Sequence, residues 1–246
     1  MTCEFFGTFH IISLISVPIL IILLYLLLRK TNRLVKTIVL LIISLVGIWL
    51  LMDELIRTKN IFSHLPFHMC SMNGFLLPFV ILTKNKRIGN MLALWCFGAL
   101  GALIFNFEIN ALTTADIRTW TYTIPHMIQF CVPILLILLK HIELDYKLIP
   151  STVILTIFFY TLAHFVNVGL IEYYAKLGQS CWANYMFSIG PGDNIFLLFF
   201  WKICPHQYWY MYCIIPLVII LLCILYLKQI IKTILEKKRI KNINNN

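Results

Sequence analysis

Seven long blocks dominated by Leu, Ile and Phe, at about residues 11–28, 37–56, 66–83, 90–107, 120–139, 148–170 and 208–230, constrain this chain more than any other feature. A helical run near 20 residues crosses a hydrocarbon core of ~30 Å. No block alternates apolar and polar residues as the strands of a membrane barrel do. Lipid offers no partner to an unpaired backbone amide, so helices are the spanning structure that remains. The fold expected is therefore all-α, a polytopic membrane bundle of about seven transmembrane helices. With 61% of 246 residues apolar and only 12% charged, no soluble domain is indicated. Residues 1–230 read as one seven-span membrane domain and 231–246 as a basic, disordered cytoplasmic tail. The first block is not a cleavable signal. It is too long for an h-region, and only Glu4 carries a charge ahead of it.

Lys and Arg set the orientation. Arg29, Lys30, Arg33 and Lys36 follow the first span; Lys84, Lys86 and Arg87 follow the third; Lys140 and Lys147 follow the fifth. The tail adds Lys228, Lys232, Lys237, Lys238, Arg239 and Lys241, against Arg57, Lys59, Arg118, Lys176 and Lys202 on the other side. This bias expects the N-terminus outside and the C-terminus in the cytoplasm. The formal charge of +10 is thereby topogenic and lipid-facing, and no nucleic-acid partner is expected. The eight cysteines form no CxxC pair. Neither a disulfide framework nor a zinc ribbon is indicated, although Cys181 and Cys204 share an outer connection where pairing is open. No metal or other cofactor is expected.

Two outer connections are unusual, Phe107–Thr119 and Ile171–Gln207. In the second, Ile195–Trp201 is too short to cross and reads as interfacial or re-entrant. Gly98, Gly101 and Ala102 put small residues on the fourth span, where they allow close helix packing.

Polar side chains within spans are costly, which makes them candidates for function. His10 opens the first span, and Asp53 and Glu54 close the second. His68, Cys70 and Asn73 begin the third, and Asn106, Glu108 and Asn110 finish the fourth. His126 and Gln129 lie early in the fifth; His164 and Asn167 lie late in the sixth. On this topology all of them fall in the outer half, the cytoplasmic half being nearly pure hydrocarbon. One polar pocket opening outward is the expectation, since a channel needs polar groups at both depths.

Within that set Cys70 is the best nucleophile. A thiolate needs a base within reach. His68 lies two residues away, about 200° round a helix, and faces elsewhere if the segment is helical. Asn73 and Gly74 share the Cys70 face, where Asn73 could donate to an oxyanion and Gly74 could leave room for substrate. His126, roughly 9 Å into its span, sits at a compatible depth to act as base. The bland readings stand beside these. A buried cysteine is commonly an inert small hydrophobe, a histidine at a helix end commonly an interface residue, and Asp53 and Glu54 could simply mark the end of a span. The His-x-Cys spacing matches no closed zinc site.

At these residues the sequence resembles a known family. Phe6-Gly7-Thr8-Phe9-His10, Glu54, Leu65-Pro66-Phe67-His68-Met69-Cys70, Gly98–Gly101, His126 and Asn184-Tyr185-Met186-Phe187 follow the order of the YwaF-type conserved integral membrane proteins. Those proteins are related to the eukaryotic acyltransferase called transmembrane protein 164. The similarity covers roughly residues 5–215. Two departures lie in the outer connection, an apparent insertion near 171–181 and Gly190-Pro191-Gly192-Asp193 in place of a lysine-proline form.

The resemblance implies a multi-pass enzyme of the cell membrane that moves acyl chains between lipids. Phospholipids and lysophospholipids would be its substrates, with Cys70 as nucleophile and His126 as base. His10, Glu54, His68, Asn73, Asn167, Asn184 and Tyr185 would orient substrate, base or oxyanion. A small-solute permease and a non-enzymatic membrane protein are the alternatives; a permease needs polar groups near the midplane with access from both sides.

Reporter fusions after residues 36, 86 and 147 should give cytoplasmic signals, and fusions after 116 and 179 outer ones. A cytoplasmic signal at 116 or 179 would sink the seven-span topology.

Overall fold

The apolar blocks fold as helices in a computed structural model that describes residues 1–58, 65–105, 109–181, 183–192 and 194–244, with backbone alone at Glu54, Leu55, Thr58, Ile195 and 236–244. The described residues form α1 (Thr8–Leu28), α2 (Arg33–Thr58), α3 (Met69–Thr83), α4 (Lys86–Phe105), α5 (Ile117–Leu138), α6 (Ile149–Lys176), α7 (Ile195–Ile203) and α8 (Ile215–Asn244). Among them there is no strand, only a single bridge between Thr2 and Thr113. The chain is an all-α, multi-pass membrane protein. Six helices are long and apolar enough to cross a bilayer, and α3 and α7 are not.

The seventh expected span is α3, and it is short. Its 15 residues cover about 22 Å at 1.5 Å per residue, less than the ~30 Å of a hydrocarbon core. The cause is local. Pro66 disfavours helical backbone at Leu65, and Phe67 N–H closes a tight turn on Leu65 O at 2.7 Å. His68 then stays extended as the cap (φ −70°, ψ 144°), so the helix starts several residues late. At its other end Lys84 adopts a left-handed cap (φ 54°, ψ 33°).

Two other boundaries differ from expectation. α6 runs to Lys176 rather than residue 170. α8 continues through the basic stretch to Asn244. No Gly or Pro follows Pro216 to stop it.

Packing centres on α5, which touches α1, α2, α3 and α4, while α6 lies on α4. Leu77, Val80, Ile81, Met91, Leu92, Trp95, Val132, Leu135 and Leu136 are at most 1% exposed and fill the middle of the bundle. The aliphatic side chains of Ile12, Leu27, Ile42, Leu45, Ile154 and Ile224 stay exposed, as expected of surfaces that face acyl chains rather than water.

The two ends of the bundle differ. At one, the N-terminal segment is laid on the α4–α5 connection: Cys3 N–H donates to Leu112 O at 2.9 Å and Thr114 N–H to Met1 O at 2.9 Å. At the other, His141 in the α5–α6 connection donates to Ile81 O at 2.8 Å and senses the charges of Lys84, Arg33 and Lys36. Three basic connections therefore converge on one end.

That end is not pure hydrocarbon, which corrects the sequence reading. Asn90 is fully buried there. Its amide donates to Lys86 O (2.7 Å) and Glu143 O (3.2 Å), and its oxygen accepts from Asp145 N–H (3.0 Å) and the Tyr226 hydroxyl (2.6 Å). Asn90 thus ties α4, the α5–α6 connection and α8 together. A single asparagine early in a hydrophobic helix carries no mark in sequence of the four partners it will find.

Burial holds His141 below its ordinary value of 6.5, and the cations of Lys84, Arg33 and Lys36 act in the same direction against the bond to Ile81. A histidine depressed in this way stabilises the fold above its unfolded value, and that stabilisation is lost as pH falls through the folded one. Thermal melts in detergent should therefore drop between pH 7.5 and 5.5. His141→Gln, which keeps a donor for Ile81 and cannot titrate, should flatten the dependence. An equal pH slope in both proteins would count against this role.

Candidate functional site

The late start of α3 shapes the site. Leu65–Phe67 enter the bundle outside the helix, His68 O accepting the first helical bond from Met72 N–H at 2.9 Å, and non-helical backbone at membrane depth survives only where protein or a cavity satisfies it. Tyr185 does so here, its hydroxyl accepting from Leu65 N–H at 3.0 Å. The His68 ring packs edge-on against Tyr185 and Phe187, with centroids 5.3 and 5.7 Å away. Cys70 is half-buried and is the second residue of α3. The unsatisfied N–H groups of a first turn favour negative charge there, the form in which a cysteine attacks.

α5 brings the facing groups. Tyr122, Thr123, His126 and Gln129 recur at helical spacing and form a polar stripe on a helix that is otherwise largely apolar. His126 Nδ1 donates to Tyr122 O at 2.7 Å. In the neutral ring this leaves Nε2 as the lone-pair nitrogen, the arrangement a general base requires. The Tyr122 ring lies 4.4 Å from the His126 ring and its hydroxyl donates to Ala102 O at 2.9 Å, anchoring the pair to α4.

Two contacts set the register of α3 against α5. Asn73 Nδ2 donates to Gln129 O at 3.3 Å, and near the far end His141 reaches Ile81. The helices therefore run in the same direction. Cys70 precedes Asn73 by three residues and His126 precedes Gln129 by three, so Cys70 and His126 stand at the same level of the bundle, each about 4.5 Å above its contact residue. His68 is also close enough to His126 to interact with it electrostatically.

The connection after α6 closes over this level. Asn167 is fully buried. Its amide donates to Tyr185 O and Ser188 Oγ, both at 2.9 Å, and its oxygen accepts from Tyr185 N–H at 2.9 Å. Asn184 is a turn-former: it donates to Gly190 O at 2.7 Å and accepts from Ile189 N–H at 3.0 Å. Met186 and Phe187 both hold positive φ, 51° and 55°, a conformation costing non-glycine residues on the order of 1–3 kcal/mol each. Asn167 on one side and the bond from the Tyr210 hydroxyl to Phe187 O on the other hold them there. Nothing in the Met-Phe sequence signals left-handed backbone.

The remaining candidates are not gathered in. His10 is 2% exposed and both ring nitrogens meet backbone. Nδ1 accepts from Phe6 N–H and Nε2 donates to Leu103 O, both at 2.9 Å. It fastens α1 to α4 and has no nitrogen left for acid–base work. The side chain of Glu54, and Asn106 and Glu108 entirely, lie outside the described residues. His164 bonds Ser188 Oγ at 3.1 Å and lines a separate, open cavity of about 730 Å³. Thr161, Phe165, Trp201, Tyr208 and Trp209 share that cavity, while Cys70 and His126 do not. Cys181 and Cys204 are unlinked thiols. Among the described residues no group of three or more His, Cys, Asp or Glu could hold a metal ion.

The family model described as the TMEM164 family matches residues 5–227. No curated protein and no solved structure matches the chain.

Removing the Asn167 amide takes away the acceptor of the buried Tyr185 N–H and leaves Tyr185 O with the bond from Ser188 N–H, so Asn167→Ala should cost roughly 1–3 kcal/mol. A lower melting temperature in detergent and faster proteolysis between α6 and α7 are the expected readouts. Unchanged cleavage would show that other contacts hold the turn.

Proposed function

The chain belongs to the TMEM164 family, and we propose that it is a membrane acyltransferase working through a cysteine acyl-enzyme. The observation that carries this reading is the His126 tautomer. Its Nδ1–H is held by Tyr122 O, which leaves the Nε2 lone pair on the level of Cys70.

In the first half-reaction Nε2 takes the thiol proton and Cys70 Sγ attacks the ester carbonyl of a phospholipid. A thioester forms, and the departing lysolipid alkoxide takes the proton back from His126. In the second half, His126 takes a proton from the hydroxyl of an acceptor lysophospholipid as its oxygen attacks the thioester; the C–S bond breaks, and His126 gives the proton to the departing Cys70 thiolate. The apolar walls around the site keep water away from the thioester and favour transfer over hydrolysis. Glu54 would orient the acceptor or the base, His68 would border the acyl group, and Asn167 and Tyr185 would hold the cover over it. The reaction is assigned to the outer leaflet of the cell membrane, following the basic connections on the opposite end. A permeation pathway is not favoured, because the bundle between the two polar ends is filled by Leu77, Val80, Met91, Trp95 and Val132.

Purified protein incubated with labelled phospholipid and lysophospholipid should carry an acyl adduct on Cys70 and exchange acyl chains. Cys70→Ala should abolish both at a packing cost of roughly 1–2 kcal/mol. His126→Ala should slow exchange by on the order of 10²–10⁴, and combining the two should add little. Cys96→Ala, in the apolar core, should be nearly silent. Full transfer by the Cys70→Ala protein would refute the mechanism.

A further inference from the structure

Three side chains at the α3–α5 contact carry polar atoms that are buried and unpaired: Asn73 Oδ1, Thr123 Oγ1 and both amide atoms of Gln129. Asn73 is fully buried, Gln129 is 1% exposed and Thr123 3%. An unpaired buried amide is costly, and a catalytic role is one reason a fold retains one. All three border the Cys70–His126 level, Thr123 and Gln129 lying one turn to either side of His126 on the same stripe.

The sign of each free atom decides what it can bind. Asn73 places one N–H on Gln129 O, and the atom it leaves with no partner is its acceptor oxygen. An acceptor repels an oxyanion. Asn184 has both ends of its amide in the turn it forms. Gln129 Nε2 is a donor with no partner. It lies against α3 at Gly74, one turn below Cys70. A Cβ built on Gly74 would come within 3.3 Å of Nε2 and 2.9 Å of Leu51 Cδ1. Gly74 therefore leaves the space that the carboxamide occupies.

We propose that Gln129 is the oxyanion donor of the acyl-transfer reaction, an inference that rests on Cys70 being the nucleophile. As the Sγ–C bond forms, the π pair of the ester carbonyl moves onto its oxygen, and Gln129 Nε2–H donates to that oxygen. When the carbonyl re-forms, the lysolipid alkoxide leaves with the proton from His126 and the Gln129 bond relaxes. The same donation recurs when the acceptor hydroxyl attacks the thioester. A donor that acts only on developing charge raises kcat and leaves KM nearly unchanged.

The test compares two reactions at one thiol. Acylation by labelled phospholipid passes through an oxyanion; alkylation by iodoacetamide displaces iodide and does not. Gln129→Leu should lower kcat for acylation by about 10²–10³, with KM and the Cys70 alkylation rate held near wild type. Gln129→Glu should be as slow at pH 8 and recover as pH falls, because only the protonated acid donates. Gly74→Ala, which crowds the carboxamide without removing it, should give the same split. Equal loss of acylation and alkylation would make Gln129 a packing residue and overturn the proposal, as would wild-type acylation by Gln129→Leu. Absence of any Cys70 adduct in the wild-type protein would instead overturn the acyl-enzyme reading on which it rests.

Discussion

Lipid cannot hydrogen-bond a peptide group, and the structure depends on how that constraint is met at Leu65–His68. Proline at position 66 keeps this stretch out of the helix, so its amides must find partners in the protein. The Tyr185 hydroxyl supplies one of them. Tyr185 can do so because Asn167 grips its backbone on both sides. The cover, the short third helix and the depth of Cys70 are thus consequences of one proline and the side chains that accommodate it.

The same constraint sorts the buried polar groups into two kinds. At the basic end, Asn90 meets four partners and His141 meets Ile81, and both join elements, although Thr152 Oγ1 is buried there without a hydrogen bond. At the other end, His10 and Asn167 are likewise fully engaged. Asn73, Thr123 and Gln129 are not. Polar residues that look equivalent along the chain divide by whether the fold has already met their bonding capacity.

The candidate site was legible in part. Cys70 and His126 stood out because a thiol and an imidazole are conspicuous among Leu and Ile, and the helical rise alone put them at similar depth. His10 stood out equally and proved to be a fastener between α1 and α4. Asn73 was legible as a neighbour of Cys70, but which end of its amide would be free was not. Gln129 was visible as a polar residue in a span, without a sign that its carboxamide would lie unpaired against Gly74.

By itself the sequence determined the helical membrane class, the number of apolar blocks and the segregation of basic connections, since hydropathy, length and charge are local properties. It also determined that α7 could not cross, because its apolar run, Ile195–Trp201, is only seven residues long. Tertiary structure alone decided the register of α3 against α5, the tautomer of His126, the left-handed pair at Met186 and Phe187, and which buried amides remain unpaired. Each of these depends on which atoms from distant parts of the chain come within about 3 Å of one another, and no periodicity within a single helix encodes that.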